Sequence, residues 1–341
     1  MKLSRKKEEK KTEQEKVDQR REEVLAAGRK FKYPLQWTKH RVVINTILIS
    51  FVVLGILVTA GWLALYRFNM TDDMLYRLTK IIPVPVATVD GNNVRFSDYL
   101  MLYRSSITSI NRQSDQNLDG SVDSIRPQYM RIALTESEQF TYAEKLAKEL
   151  GITVSQEEVD AEFKRHQNIG GIERSEDGFM KIIEENFGLS RSEYKHMLYL
   201  SLIKAKVEIE IDESASSIAN RVETLLAENS GNYTAVADAL GEEIVYEETG
   251  GMVSSQNIDG GRATEALKLE PGQQSGRFVS INGDGYYFVK LVAKTETEVN
   301  FVSIKVPFNE FEKRFAALRE ENKISEFITI PAEDESVEDG S

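Results

Sequence analysis

Cysteine is absent from all 341 residues of the chain, and histidine occurs only three times. Without cysteine the chain has no disulfide, no thiolate metal site and no cysteine that a lipid could modify at a membrane. The sequence also has no nucleophile triad, no glycine-rich phosphate loop and no histidine cluster of metal-site spacing. A chain of this composition is stabilised by the packing of its core alone.

Basic residues are scarce outside the N-terminal segment. The whole chain has a formal net charge of -12, and residues 1–41 hold 14 Lys/Arg against 7 Asp/Glu. That segment therefore has a charge of +7, which leaves -19 for the rest of the chain. Nucleic acid requires a basic face, so this balance predicts that nucleic acid is not a partner.

Charge is missing altogether from one long apolar run, Val42–Tyr66. As a helix its 25 residues would extend about 37 Å, which is enough to cross a bilayer with some tilt. Lysine and arginine crowd the segment before the run, whereas Asp72 and Asp73 follow soon after it. The positive-inside rule then predicts a single-pass protein of the cell membrane, with a cytoplasmic N-terminus and extracytoplasmic C-terminal domains.

A cleaved signal peptide is the alternative reading of this run. Val58-Thr59-Ala60 loosely fits a small-residue cleavage site. However, the apolar run is too long for the central region of a signal peptide, and it continues past Ala60. These features favour a retained membrane anchor.

Residue patterns divide the chain into five segments. The cytoplasmic tail, 1–41, has charges of both signs and no apolar stripe. We therefore expect its first thirty residues to be disordered. The anchor, 42–66, precedes a mostly helical domain, 70–212, in which Ser155–Glu158 and Ser190–Glu193 have the spacing of capping boxes. Strand-like segments then predict an α+β domain, 213–330, and the acidic end, 331–341, is expected to be disordered.

Three segments of the helical domain resemble the N-terminal domain of SurA-type chaperones, which the PrsA and PpiD foldases share. They are a strand and turn ending in Val89-Asp90-Gly91, the helix start Gly151-Ile152-Thr153-Val154-Ser155, and the helix start Gly188-Leu189-Ser190. The segments occur in the order found in that family. The resemblance implies an extracytoplasmic chaperone domain that binds unfolded client polypeptides without ATP.

The α+β domain resembles a parvulin-type prolyl isomerase. Gly250-Gly251, the turn Leu269-Glu270-Pro271-Gly272 and the strand Gly285–Leu291 follow the parvulin order. Parvulins begin with a strand that carries a histidine, and this chain has no such strand after its helices. Val299–Val306 is our candidate for the missing sheet position.

Isomerisation of an X-Pro bond must overcome a barrier of about 20 kcal/mol. Parvulins build the required polar network around paired histidines, but here Tyr287 takes the histidine position of the last strand, and no histidine of the chain falls on a parvulin position. Met252 and Phe278 are candidates for an apolar pocket, although core packing explains such residues equally well. We therefore expect a degenerate isomerase-like domain, with an active isomerase as the alternative.

Residues 115–123 have the spacing of a calcium-binding loop. The candidate ligands are Asp115, Asn117, Asp119, Ser121 and Asp123. Position 12 of this loop is Arg126, where a calcium loop has a bidentate glutamate. The motif therefore predicts at most a weak calcium site, and an exposed polar turn explains it as well; no other cofactor is expected.

The sequence thus predicts a single transmembrane helix followed by a mostly α-helical SurA-like chaperone domain and an α+β parvulin-like domain. We expect a chaperone or foldase that binds unfolded secreted or membrane proteins. An active peptidyl-prolyl isomerase and a membrane-anchored scaffold for one dedicated partner are the two alternatives. Suppression of aggregation across unrelated clients distinguishes the chaperone from the scaffold.

Overall fold

The first element is a single long helix. The computed structural model of the protein describes residues 2–117, 122–168, 174–257 and 259–331, with side chains except in 2–12, 29–40, 113–117 and 122–124. Helix α1 runs over Lys2–Trp62. Residues 2–30 are therefore helical where we expected disorder: Glu and Lys are good helix formers, and the described side chains of 13–28 are all exposed.

The predicted membrane-spanning run lies within the only candidate span among the described residues. This candidate is Arg41–Arg67, in which residues 41–60 are exposed and Leu65 is buried. Its last turn, Leu63–Arg67, is a π-helix. A compact folded unit begins at Leu65 and includes the rest of the chain.

A short helix and a three-stranded sheet open the folded unit. Helix α2 is Asp73–Ile81, and strands β1 (Pro85–Val89) and β2 (Asn92–Arg95) form the predicted hairpin. Asp90 and Gly91 both have positive φ, as the turn of a tight hairpin requires.

Five helices follow the hairpin and form most of the helical part. They are α3 (Phe96–Asn117), α4 (Val122–Leu150), α5 (Gln156–Gln167), α6 (Glu176–Phe187) and α7 (Arg191–Ile211). Both predicted capping boxes are present, at the starts of α5 and α7. Helix α3 begins at Phe96, whose N–H donates to Val84 O at 2.9 Å and joins the hairpin directly to the helix.

The second part is a sheet with helices on both faces. Helices α8 (Glu213–Glu228) and α9 (Tyr233–Leu240) precede strands β3 (Val245–Glu248) and β4 (Val253–Ser254) and helix α10 (Arg262–Leu267). Strands β5 (Phe278–Val279), β6 (Gly285–Lys294) and β7 (Glu298–Pro307) complete the sheet. Its order is β3-β7-β6-β5, with β4 also paired to β7, so that Val299–Val306 lies in a central strand.

The two faces of this sheet have separate cores. Alternate residues of β6 point to opposite faces. Phe288 packs with Ile304 and Val306 against α8 and α9, whereas Val289 and Leu291 pack with Phe301 against α10.

The end of the chain returns to the helical part, which corrects the predicted boundary of the 213–330 domain. Helix α11 (Glu310–Glu320) places Phe311 and Phe315 against Tyr142 of α4, with ring centroids 5.4 and 6.1 Å apart. Strand β8 (Ile324–Glu326) then pairs antiparallel with β1 and gives the first sheet the order β2-β1-β8. The sheet part is therefore inserted between two pieces of the helical part.

One buried carboxylate joins the outgoing and the returning chain. Asp212 Oδ1 accepts from Ala215 N–H at 2.8 Å and caps α8. Its Oδ2 accepts from Asn309 and Glu310 N–H, at 2.7 and 3.0 Å, where α11 begins. The side chain thereby fixes the junction through which the chain enters and leaves the inserted part.

Candidate functional site: a groove between the helices and the inserted sheet

A groove of about 900 Å³ separates the helical part from the inserted part. One wall comes from α7 and the other from α10 and the turn between β5 and β6. The apolar side chains in these walls are those of Met197, Leu198, Leu202, Ala205, Leu267 and Ile281. This volume is in the range of sites that bind extended or drug-sized ligands.

The α7 wall follows from the helical spacing of its apolar residues. Leu198, Leu202 and Ala205 recur at intervals of four and three, so they lie on one face of the helix. The capping box of Ser190 and Glu193 defines where the helix begins, with Glu193 N–H donating to Ser190 Oγ and Ser190 N–H donating to Glu193 Oε2. Local sequence therefore sets which residues face the groove.

The opposite wall contacts α7 through a glycine turn. Gly283 has φ +72, and a Cβ at this position would lie 2.9 Å from the Cβ of Ala205. The turn thus approaches the helix as closely as only glycine allows. Ile281 lies next to this contact and is 46% exposed, so it presents a large apolar side chain to the groove.

Charged groups stand at the α5 end of the groove, and they are paired with one another. Glu162 forms an ion pair with Arg165 and a second contact with His166 Nε2 at 3.1 Å. His166 Nδ1 lies 2.6 Å from the Tyr194 hydroxyl oxygen. Burial raises the pKa of Glu162, but hydrogen bonds from His166 and Arg165 outweigh burial and lower the pKa to about 2. This end of the groove is therefore a polar edge with its charges neutralised.

Tyr287, which we predicted at the histidine position of a parvulin, lies outside the groove. It is buried on the α10 face of the sheet and stacks on Phe278, with ring centroids 6.0 Å apart. Its hydroxyl donates to Asp284 Oδ2 at 3.3 Å, and Lys305 Nζ donates to the same oxygen. The guanidinium of Arg262 lies 5.4 Å from the Tyr287 ring centroid. We name these five residues the tyrosine cluster.

The tyrosine cluster has no group suited to general acid–base catalysis near neutral pH. Burial raises the pKa of Tyr287 above its ordinary value of 10, so the hydroxyl stays protonated. Burial also raises the pKa of Asp284, but the Lys305 ammonium outweighs it and lowers the pKa of that carboxyl below its ordinary range. Arg262 is paired with Glu247. Each charge already has its partner within the protein.

The other predicted pocket residues are divided between core and surface. Phe278 packs against the α10 core, as the alternative interpretation expected. Met252 is 39% exposed and precedes β4, where Val253 pairs with Val299. Tyr287 pairs with Lys305, which lies six residues, or roughly 20 Å, along β7 from the partner of Val253.

The calcium-loop residues largely fall outside the described part of the chain. Asp119 and Ser121 belong to the segment 118–121, which is not described, and Asp115, Asn117 and Asp123 lie in helices without described side chains. The calcium site therefore stays a prediction. Among the described side chains, no group of three or more His, Asp or Glu residues is arranged to hold a metal ion.

One wall of the groove can be read from the sequence, and the other cannot. The stripe on α7 was a visible signal, because its apolar residues repeat at helical spacing. Leu267 and Ile281 have no such signal in the sequence, since their place opposite α7 depends on how the inserted part packs.

The comparisons with known proteins point to the same helical part. The sequence model of the family "SurA-like N-terminal domain" matches residues 35–208, just over half of the chain. No curated protein matches the chain. The matched residues contain the whole candidate span, the hairpin, α2 to α6 and nearly all of α7, including every α7 residue that lines the groove. The chain therefore belongs to the family of proteins with a SurA-like N-terminal domain.

Proposed function

We propose that this protein is a membrane-anchored extracytoplasmic chaperone that holds unfolded polypeptide in the groove between α7 and the inserted sheet. The observation that carries the proposal is the open apolar surface of this groove, formed by Leu202, Leu267 and Ile281. Unfolded chains expose apolar side chains, and a groove of this chemistry binds them without regard to one sequence. Release follows when the client buries those side chains by folding.

The candidate span supports the proposed location. Arg41–Arg67 has the length and composition of a transmembrane helix. Positive residues before the span and an acidic chain after it favour an N-terminus in the cytoplasm. The groove would then lie outside the cell membrane, where secreted and membrane proteins emerge unfolded.

We further propose that the inserted part is a parvulin-like domain without isomerase activity. The glycine pair Gly250-Gly251, helix α10, the Pro271-Gly272 turn and strand β6 follow the parvulin order. We assign to the central strand β7, the last strand of the inserted part, the sheet position that the missing first strand of a parvulin would occupy. Tyr287, in place of histidine, is buried and paired, which favours a binding or scaffolding role.

The test uses the full chain in nanodiscs and several chemically unfolded clients that are unrelated in sequence. We expect the protein to suppress light scattering from all of them, and we expect no acceleration of X-Pro isomerisation in a peptide after the spontaneous rate is subtracted. Suppression for one client alone would support a dedicated scaffold. Clear acceleration would instead support an active isomerase that works without histidines.

A further inference from the structure

Helix α2 has two apolar faces, and only one of them is covered by the protein. Leu75, Tyr76 and Thr79 are buried where the helix packs on α3. On the opposite face Met74 is 76% exposed, Leu78 41% and Ile81 81%. These three residues are spaced by four and three positions, so they form one continuous stripe along the helix.

The contacts on the buried face fix the direction in which this stripe points. Asp73 pairs with Arg104 Nη2 at 2.5 Å, and the Arg104 guanidinium lies 4.5 Å from the Tyr76 ring centroid. The Tyr76 hydroxyl donates to Glu193 at 2.6 Å, and Lys80 pairs with Glu193 at 3.1 Å. Helix α2 therefore cannot rotate to bury the stripe without breaking these contacts.

The same α3 helix holds the end of the candidate span. The Tyr66 hydroxyl donates to Pro85 O at 2.6 Å, and its ring meets Phe96 of α3 edge-on at 5.7 Å. Asp73 contacts α3 at Arg104, eight residues further along, which is about 12 Å of helix. The end of the span and the beginning of α2 are thus neighbours within the folded unit.

The surroundings of the stripe have the composition of a surface that meets lipid. Phe68 and Met70, between the span and α2, are 67% and 44% exposed. Arg67 and Arg77 add positive charge beside these apolar residues, Asp72 adds one negative charge, and Asp73 is paired with Arg104. Apolar side chains bordered by basic ones are typical of helices that lie at the interface of a bilayer.

We propose that the stripe of Met74, Leu78 and Ile81 lies in the headgroup region of the bilayer that contains the span. Helix α2 would then be an interfacial helix that holds the folded unit against the membrane surface. This inference rests on the proposed anchoring through residues 41–67. It adds a second lipid contact, made by the folded unit itself.

The test exploits the absence of cysteine from the chain. The single variants Met74→Cys and Ile81→Cys of the full chain are each labelled with an environment-sensitive fluorophore. Each nanodisc holds one copy of the protein, and its lipids include an anionic fraction. The matched controls are Leu57→Cys, within the span, and Val292→Cys, at an exposed residue of strand β6. Quenching by lipids with a nitroxide near the headgroup is compared with quenching by aqueous iodide.

We expect blue-shifted emission and lipid quenching at 74 and 81, and iodide quenching alone at 292. The label at 57 should be shielded from iodide and quenched most by a nitroxide deep in the acyl chain. If 57 is in lipid while 74 and 81 are quenched by iodide like 292, the interfacial helix is refuted and the anchor stands. If 57 is not in lipid, the anchoring fails and this inference fails with it. Shielding that depends on protein concentration or on added client would assign the stripe to a second copy or to the client, and would also refute it.

Discussion

The groove and the tyrosine cluster both use residues of the inserted part, yet they differ in what they offer to another molecule. The groove presents Leu202 and Ile281 to solvent, and the charges at its polar edge are already neutralised. In the tyrosine cluster, Tyr287 is only 4% exposed and its hydroxyl is already bonded to Asp284. One surface is apolar and open, and the other is polar and closed.

This contrast separates binding from chemistry within one molecule. An isomerase needs polar groups that reach the twisted amide, and such groups must be free to bond with it. Here Tyr287 and Lys305 both donate to Asp284, and Arg262 is paired with Glu247. The surface that remains available is apolar, which favours a protein that holds unfolded segments over one that catalyses their isomerisation.

The largest effect expected is on stability, from removal of the Tyr287 ring. Tyr287→Ala should lower the free energy of unfolding by about 4 kcal/mol, because it leaves a cavity beside Phe278. Tyr287→Phe keeps the ring and loses one hydrogen bond, so we expect a loss of about 1 kcal/mol. Urea unfolding of the full chain in detergent measures both. A Tyr287→Phe variant that unfolds normally but loses client handling would show that the hydroxyl acts on clients.

The next effect concerns the junction that holds the two walls of the groove together. Asp212→Ala should cost about 3 kcal/mol, since it leaves three backbone N–H groups without their acceptor. The matched control is Asn232→Ala, which removes a single exposed capping bond at α9 and should cost about 1 kcal/mol. Equal losses in urea unfolding would mean that Asp212 acts only as the cap of α8.

A smaller, pH-dependent effect is expected from Glu138, whose side chain has no exposed surface and pairs with Arg319 of the returning helix. Burial, helped by the nearby Glu326, raises its pKa to about 7 against the opposing effect of Arg319. The folded chain therefore keeps this proton up to about pH 7, whereas the unfolded chain releases it near 4.5. The stability that it contributes is complete below pH 4.5 and is lost as the pH rises through 7.

Glu138→Gln should remove this contribution and flatten the fall in stability between pH 4.5 and 8. Burial also raises the pKa of Glu136, Glu144 and Glu208, so part of the slope should persist. Urea midpoints measured across this pH range give the slope. An unchanged slope in the variant would show that Glu138 titrates normally.

The smallest effect in free energy bears directly on function. Leu202→Glu places a carboxylate in the apolar wall and should weaken the binding of unfolded clients about tenfold, or about 1.4 kcal/mol. Val292→Glu makes the same change at an exposed residue outside the groove and should leave binding unchanged. Fluorescence anisotropy of labelled clients gives both affinities. Equal weakening by both variants would show that the added negative charge lowers the affinity wherever it is placed.

Local chemistry made part of the fold predictable from the sequence. The capping boxes of α5 and α7 and the turn at Asp90-Gly91 depend on residues a few positions apart, and all three are present. The return of the chain was not predictable in the same way. Strand β8 has only three residues, and its partner β1 lies at the other end of the folded unit.

The candidate sites show the same division. The α7 stripe was readable because helical spacing defines it. The groove requires a second wall, and that wall is set by the approach of Gly283 to Ala205, a contact between residues distant in sequence. The structure of the N-terminal segment was not predictable for another reason: a mixture of charges without an apolar stripe is compatible with a helix as well as with disorder.

The most direct test of the account is photo-cross-linking of unfolded clients to the full chain in nanodiscs. A photoreactive residue is placed at Leu202 or Ile281 in the groove, and at Tyr246 or Val292 outside it. We predict client adducts from 202 and 281 with several unrelated clients, and only background from 246 and 292. Adducts that form equally at all four positions, or that are missing from the two groove positions, would contradict the claim that this groove holds unfolded polypeptide.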